Sequence, residues 1–403
     1  MRSVGYSFES ALSDIVDNSI TAGARKVDVV VEPIRAEFVT IFDDGSGMGP
    51  MEARDALRLA GTRTTERTEA DLGRFGLGLK TASLSQARSL TILTRRAGET
   101  TALEWDLDHV LSSGNWAVRV LDVEDQARLP GVAEFEGVIS GTLVVWRRLD
   151  SLITGAADPS ALIAEKLAAL REHFGFTFQR FLDSREQKLH IRVNGVEVRS
   201  IDPFLASDVR TQPGSVEKVL IDGETMTFQA FTLPHPSAFG AVERRRSDLG
   251  DRMRDFQGFY VYRNQRLITR GGWFGLHRLD ELSKQSRVRV DIPNTLDHHW
   301  QLDIKKSRID PPQQFRHRFK QIIDQVTGAS KRVHRFRGRT EPVGQSVHLW
   351  ELVSERNGYR YKVNAEHPLL LALRMDLPER KSRLLDQVID DLSTTFPTRD
   401  LYV

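Results

Sequence analysis

The 403-residue chain contains no cysteine. That excludes disulfides, thiolate nucleophiles and cysteine-bound metals, and it fits a reducing, cytoplasmic setting. No apolar run approaches the roughly 20 residues of a membrane helix, and the first residues carry no signal-peptide pattern. No membrane association is therefore expected. Excess charge is also missing, since 57 Lys and Arg face 55 Asp and Glu. A net +2 gives no prediction of nucleic-acid binding from overall charge, so local patches must carry that argument. What remains, 40% hydrophobic and 28% charged, is the composition of a globular chain with room for two or three domains.

Three short motifs follow one another between residues 9 and 80. Ala11, Leu12, Ile15, Val16 and Ile20 recur at helical spacing and predict a buried stripe. Asp14 and Asn18, one turn apart, then project from one helix face. The pair is either a solvated polar face or a site where the amide oxygen holds Mg²⁺ and the carboxylate orients water. Mg²⁺ takes hard oxygen ligands and keeps several waters. Next, the strand-like residues 38–42 lead into Asp43, Asp44, Gly45, Ser46, Gly47 and Met48. The glycines permit close backbone approach. Asp43 belongs either to a plain turn or to a site where it accepts a hydrogen bond from an exocyclic amine such as adenine's.

The third motif is Gly73, Arg74, Phe75, Gly76, Leu77, Gly78, Leu79 and Lys80, opening another helix. Unpaired amides at a helix start, with glycines leaving room, make an anion cradle. It is not a P-loop, because no Gly-Lys-Ser/Thr follows at the right spacing. Nor is it a dinucleotide fingerprint, because no strand runs straight into it.

In this order the motifs resemble the Bergerat nucleotide-binding fold of the GHKL ATPases, the superfamily of gyrase, the 90 kDa heat-shock chaperone, histidine kinases and MutL. Gly141 and Thr142, opening the strand-like residues 141–146, match a fourth element of that family. The resemblance implies ATP and Mg²⁺ as cofactors, with Asn18 as metal ligand and Asp14 as general base. It implies adenine against Asp43 and Thr142, with Gly45, Gly47 and Met48 beside the nucleotide. It puts the phosphates on Gly73, Arg74, Phe75, Gly76, Leu77, Gly78 and Lys80. The threonine-rich residues 60–72 read either as a lid over the phosphates or as a plain exposed loop. Most resembled is the prokaryotic microrchidia-type branch. The residues in common are Gly5, Tyr6, Ser7 and Phe8 before the first helix, the run from Val16 to Ala24, the run from Gly76 to Lys80, and Asp202, Pro203 and Phe204.

One position departs from the family, whose general base is normally Glu. Asp14 is a methylene shorter, so its carboxylate retreats by roughly 1–1.5 Å. Slow hydrolysis with retained ATP binding is the expectation.

The expected fold is α+β. A Bergerat-fold ATPase domain, an α/β sandwich of mixed sheet with helices on one face, should occupy residues 1–204. A ribosomal S5-like transducer domain should occupy 205–330, and a small C-terminal α/β region 331–403. Within the first, residues 109–139 read as a loose acidic insertion and 162–181 as a long amphipathic helix, and Asn194-Gly195 is a hairpin turn. Residues 259–268 resemble the strand–turn–strand of the transducer. That likeness puts Lys305 or Lys306 at the γ-phosphate, although a double lysine is as readily an exposed charge pair.

Residues 315–326 read as a helix, 364–368 as a turn and 378–396 as a helix. Arg244, Arg245 and Arg246 form one basic run. The stretch from Lys331 to Arg339, with Phe336 interleaved, forms another. Each is a candidate DNA contact, and the second is equally a solvated linker. The function implied is an ATP-dependent homodimer that hydrolyses ATP slowly and clamps DNA. A nucleotide switch with negligible hydrolysis and a chaperone-like ATPase for protein clients are the alternatives.

Overall fold

The computed structural model describes residues 6–58, 78–115, 117–149, 152–153, 155–297, 300, 316–335, 348–355 and 358–395. Helix α1 (Phe8–Thr21) begins where the Ser7 hydroxyl accepts the Ser10 amide at 3.1 Å, a side-chain N-cap. Its Ala11, Leu12, Ile15 and Val16 are buried, as their spacing predicts. Strands β1 (Lys26–Val31) and β2 (Phe38–Asp43) follow as an antiparallel pair. Then come α2 (Pro50–Leu57), α3 (Gly78–Gln86), β3 (Ser89–Arg96), β4 (Glu99–Asp106), α4 (Leu107–Ser113), β5 (Arg119–Val120), α5 (Val123–Ala127), α6 (Val132–Phe135) and β6 (Gly141–Arg147). Helices α7 (Pro159–Thr177) and α8 (Gln179–Leu182) precede the hairpin of β7 (His190–Val193) and β8 (Val196–Glu197), which turns at Asn194-Gly195 as expected.

Among the described residues these strands form a mixed sheet in the order β5-β4-β3-β6-β2-β1-β7-β8, with β1 and β7 parallel. Alternation along the strands sends two apolar sets to opposite faces. Val39, Ile41, Leu90, Ile92, Val144 and Trp146 join α1 and α7 in the main core. Phe42, Leu93, Leu143 and Val145 face the other way and pack with Leu121, Leu129 and Phe135. The acidic stretch read as loose is therefore a set of short helices covering the second face. Its three anchors are too widely spaced to show a period.

A second sheet has the order β12-β11-β13-β10-β9. Its strands are β9 (Gln212–Ile221), β10 (Glu224–Thr232), β11 (Gly258–Arg263), β12 (Arg266–Arg270) and β13 (Ser286–Ile292), with β11 and β13 parallel. Phe228, Phe259, Val261, Val288 and Val290 pack beneath Phe319, Ile322, Ile323 and Val326 of helix α9 (Arg316–Arg335). The expected helix is thus longer than its apolar stripe, and the basic run from Lys331 starts inside it instead of in a linker. The fold is α+β, a mixed-sheet domain followed by a second sheet, as expected.

By contact density the two sheets form one compact unit, residues 1–279 with 283–330, and residues 280–282 with 331–403 form another. The second unit contains the hairpin of β14 (Trp350–Glu355) and β15 (Gly358–Val363), then α10 (Pro368–Asp376) and α11 (Glu379–Thr395). The Val363 amide donates to Ser393 Oγ at 3.0 Å and ties α11 to the hairpin. No described helix is long and apolar enough to cross a membrane.

Candidate functional site

Asp43 is the last residue of β2 and lies in register with Thr142 at the start of β6, which lies opposite Thr94 on β3. Only 6% of Asp43 is exposed. Ser19 Oγ, from α1, donates to its Oδ2 at 2.9 Å, and the Gly45 amide donates to Oδ1 at 3.0 Å. Burial pushes the carboxyl up to about 6, against the pull of these hydrogen bonds. The Thr142 amide is a third donor to the carboxylate, which leaves one of its four lone pairs for a further donor.

Thr94 ties the neighbouring loop down. Its hydroxyl accepts the Met48 amide at 2.8 Å, donates to the Gly141 carbonyl at 3.2 Å and lies 3.2 Å from the buried Thr142 hydroxyl. Asp44 has a different task, since its Oδ1 accepts the amides of Arg25 and Lys26, both at 2.8 Å, and so closes the turn between α1 and β1.

The glycines of this loop are required by close approach. A Cβ on Gly45 would lie 2.9 Å from both the Ala22 Cβ and Asp43 Oδ1. Gly47 has φ of 64°, and a Cβ there would meet the Arg95 carbonyl oxygen at 1.9 Å. Gly47→Ala should therefore cost about 3 kcal/mol or more, from left-handed strain plus backbone displacement. Urea denaturation should show a lower midpoint, and an unchanged one would mean the loop relaxes freely.

On α1 the acid and amide separate. Asp14 is 3% exposed, and its Oδ2 accepts the Tyr6 hydroxyl at 3.0 Å. A Cβ on Gly78, the first residue of α3, would stand 3.7 Å from the same oxygen. Asn18, a turn later, is exposed. Between them Asp17 is buried, its Oδ1 accepting Arg266 Nε at 2.6 Å from the second sheet. Ser19 joins the last turn of α1, which carries Asn18, to Asp43 at the end of β2, and Asp14 lies one turn before, mid-helix.

Lys80 lies on α3 with its side chain buried, and its Nζ donates to the Arg58 carbonyl just beyond α2. Gly73, Arg74, Phe75, Gly76, Leu77, Lys305, Lys306 and the segment 60–72 lie outside the described residues. The run at Arg244 is not one patch. Arg244 and Arg245 are exposed, whereas Arg246 pairs with the fully buried Asp248 at 3.0 Å and donates to the Asp202 carbonyl at 2.8 Å. Ser19, Thr94, Tyr6 and Arg266 are participants that sequence reasoning missed. Ser19 and Tyr6 fall inside quoted motifs, but nothing local marks Thr94 or Arg266.

Residues 6–138 match the family described as histidine kinase-, DNA gyrase B- and HSP90-like ATPase. Human ATPase MORC2 is 32% identical over 99 residues, 23% of this chain and 9% of that protein. The DNA mismatch repair protein MutL of Pectobacterium atrosepticum is 33% identical over 96 residues, 23% of this chain and 15% of that protein. The chain thus matches less than a sixth of the length of either relative. Among solved structures, the ATPase region of Saccharomyces cerevisiae topoisomerase II aligns over 81% of this chain and 85% of its own, at 9% identity and a TM-score of 0.46, too distant to support an argument. The N-terminal part of this chain is a GHKL ATPase domain. Its sequence relatives include both microrchidia ATPases and MutL.

Proposed function

We propose that this protein binds ATP with Mg²⁺ and hydrolyses it slowly to ADP and phosphate, closing residues 60–72 over the nucleotide and dimerising around DNA. The observation that supports this best is the pairing of a buried, hydrogen-bonded Asp43 with an exposed Asn18 one turn beyond a buried Asp14. These residues fit the nucleotide. Asp43 offers an acceptor to adenine's amine beside Thr142, and Asn18 offers an amide oxygen to the metal. Asp14 abuts the start of α3, to which Gly73, Arg74, Phe75, Gly76 and Leu77 lead. Bound Mg²⁺ would neutralise phosphate charge. Asp14 would orient the attacking water and take its proton, a positioning task of the kind that dominates phosphoryl transfer. Lys305 or Lys306 is assigned to the γ-phosphate, and Lys80 to the phosphates once it leaves the Arg58 carbonyl.

The working division is 1–204, 205–330 and 331–403, with the second domain as transducer. Arg244 and Arg245, both exposed, are assigned as DNA contacts together with the stretch from Lys331 to Arg339, of which residues 336–339 lie outside the described residues. The shorter base at Asp14 favours one rival, a nucleotide-binding switch that scarcely hydrolyses ATP.

Light scattering with Mg²⁺ plus ADP, and then with Mg²⁺ plus a non-hydrolysable ATP analogue, tests the proposal. The expected result is a dimer with the analogue alone, lost in Asn18→Ala. A chain that binds both nucleotides and stays monomeric would remove dimerisation from the proposal and leave the switch.

A further inference from the structure

Among the described residues, Arg266 carries the second sheet to the candidate site. Arg266 is the first residue of β12, directly after the Asn264-Gln265 turn, where both residues have positive φ. It is 4% exposed. Its Nε donates to Asp17 Oδ1 at 2.6 Å, and its terminal nitrogen lies 4.0 Å from Asp14 Oδ1. The guanidinium carbon sits 5.9 Å from the ring centre of Phe178, at the end of α7. Asp14 and Asp17 are therefore two buried carboxylates one turn apart on α1, with a single buried guanidinium from another sheet between them.

The guanidinium is close enough to attract both carboxylates and to hold them in place. His173 is close by, its Nε2 2.9 Å from Ser13 Oγ. Burial first, then the charges of Arg266 and Arg270, push it down to about 3, so it stands neutral. The guanidinium fork also has directional reach that an ammonium lacks. Asp43, by contrast, is held by Ser19 and Gly45, both in the first domain.

We infer that Arg266 is a positioning residue for hydrolysis. It holds the Asp14 face of α1 in register with the β11–β12 hairpin, so that the placement of the second sheet sets the rate of the chemical step while adenine binding stays with the first domain. This rests on the ATPase reading above. Arg266 lies beside Asp14 and Asp17, so its loss should appear in kcat and not in affinity. A displacement near 1 Å at a reacting group costs about 100-fold.

The test is single-turnover ATP hydrolysis, with ATP affinity measured by calorimetry, on wild type, Arg266→Met and Arg266→Lys. Arg266→Met should hydrolyse about 100-fold more slowly with ATP affinity within about 3-fold of wild type. Arg266→Lys, which keeps the charge but not the fork, should fall between them. If Arg266→Met loses its near-ultraviolet circular dichroism signal, Arg266→Lys decides alone. Turnover at the wild-type rate in the folded variants, or equal losses of rate and affinity, would overturn the role of Arg266 while leaving the ATPase reading intact. A wild-type chain that binds no ATP would bring down both.

Discussion

Asp14→Glu should raise the rate of ATP hydrolysis about 100-fold over wild type at nearly unchanged ATP affinity. The buried carboxylate of Asp14 is held by the Tyr6 hydroxyl, and α3 begins beside it at Gly78. One more methylene carries a carboxylate toward α3, where the phosphates are placed in our proposal. A glutamate must fit where only 3% of Asp14 is exposed, so a stability cost of about 1 kcal/mol should accompany the gain. Steady-state phosphate release and thermal denaturation of the two proteins would check both halves. Equal turnover would mean that Asp14 already reaches the water, or that another group does its work. The complementary Asp14→Asn change keeps the shape and removes the base, and it should reduce hydrolysis to background.

Asp43→Asn should do the reverse for stability and function, strengthening the fold while weakening nucleotide binding by about 10- to 100-fold. The loss is that of a hydrogen bond to a charged acceptor, roughly 1.5–3 kcal/mol. The gain follows from linkage. Burial disfavours the charge of Asp43 and pushes its carboxyl up to about 6 in the folded protein, from an ordinary 3.8. The folded state therefore holds this proton more tightly than the unfolded chain does. The penalty is full above about pH 6 and is relieved as pH falls from 6 toward 3.8. A shift of about two units corresponds to about 3 kcal/mol at most. Asparagine has no charge to bury, and its amide oxygen can still accept from Gly45. Denaturation at pH 7.5 should show Asp43→Asn more stable by about 1–3 kcal/mol. Wild-type affinity for ATP should fall below pH 6 as the carboxylate protonates, while the variant's affinity should not follow that profile. A variant that binds ATP as tightly as wild type would separate Asp43 from adenine recognition.

Much of the candidate site is legible without coordinates because nucleotide chemistry asks for particular groups at short, fixed spacings. The acid and amide one turn apart, the Asp before two glycines at a strand end and the Gly-Thr opening a later strand are local patterns. Neighbours along the chain set their geometry. The same is true of α1, of the β1–β2 pair and of the hairpin at Asn194-Gly195, each found where period and turn chemistry place it. The spacing of Asp14 and Asn18 also puts them on one helix face, and by itself that argues for a shared exposure.

Tertiary structure decided the rest. Asp14, Asp17 and Ser19 are inside and Asn18 alone among them is exposed, an exposure set by what packs against each residue and not by helix period. One group packed there is Arg266, which pairs with Asp17 from 249 positions later. Of three consecutive arginines, Arg246 is taken up by Asp248 and by the Asp202 carbonyl, so a charge run in the sequence is only partly a charged surface. Residues 107–138 cover the second face of the sheet, because Leu121, Leu129 and Phe135 find Phe42, Leu93, Leu143 and Val145 opposite them. Residue type and spacing determine which groups a segment presents. Burial and ion pairing depend on segments far away in the chain, and those become neighbours only when the sheets close on their helices.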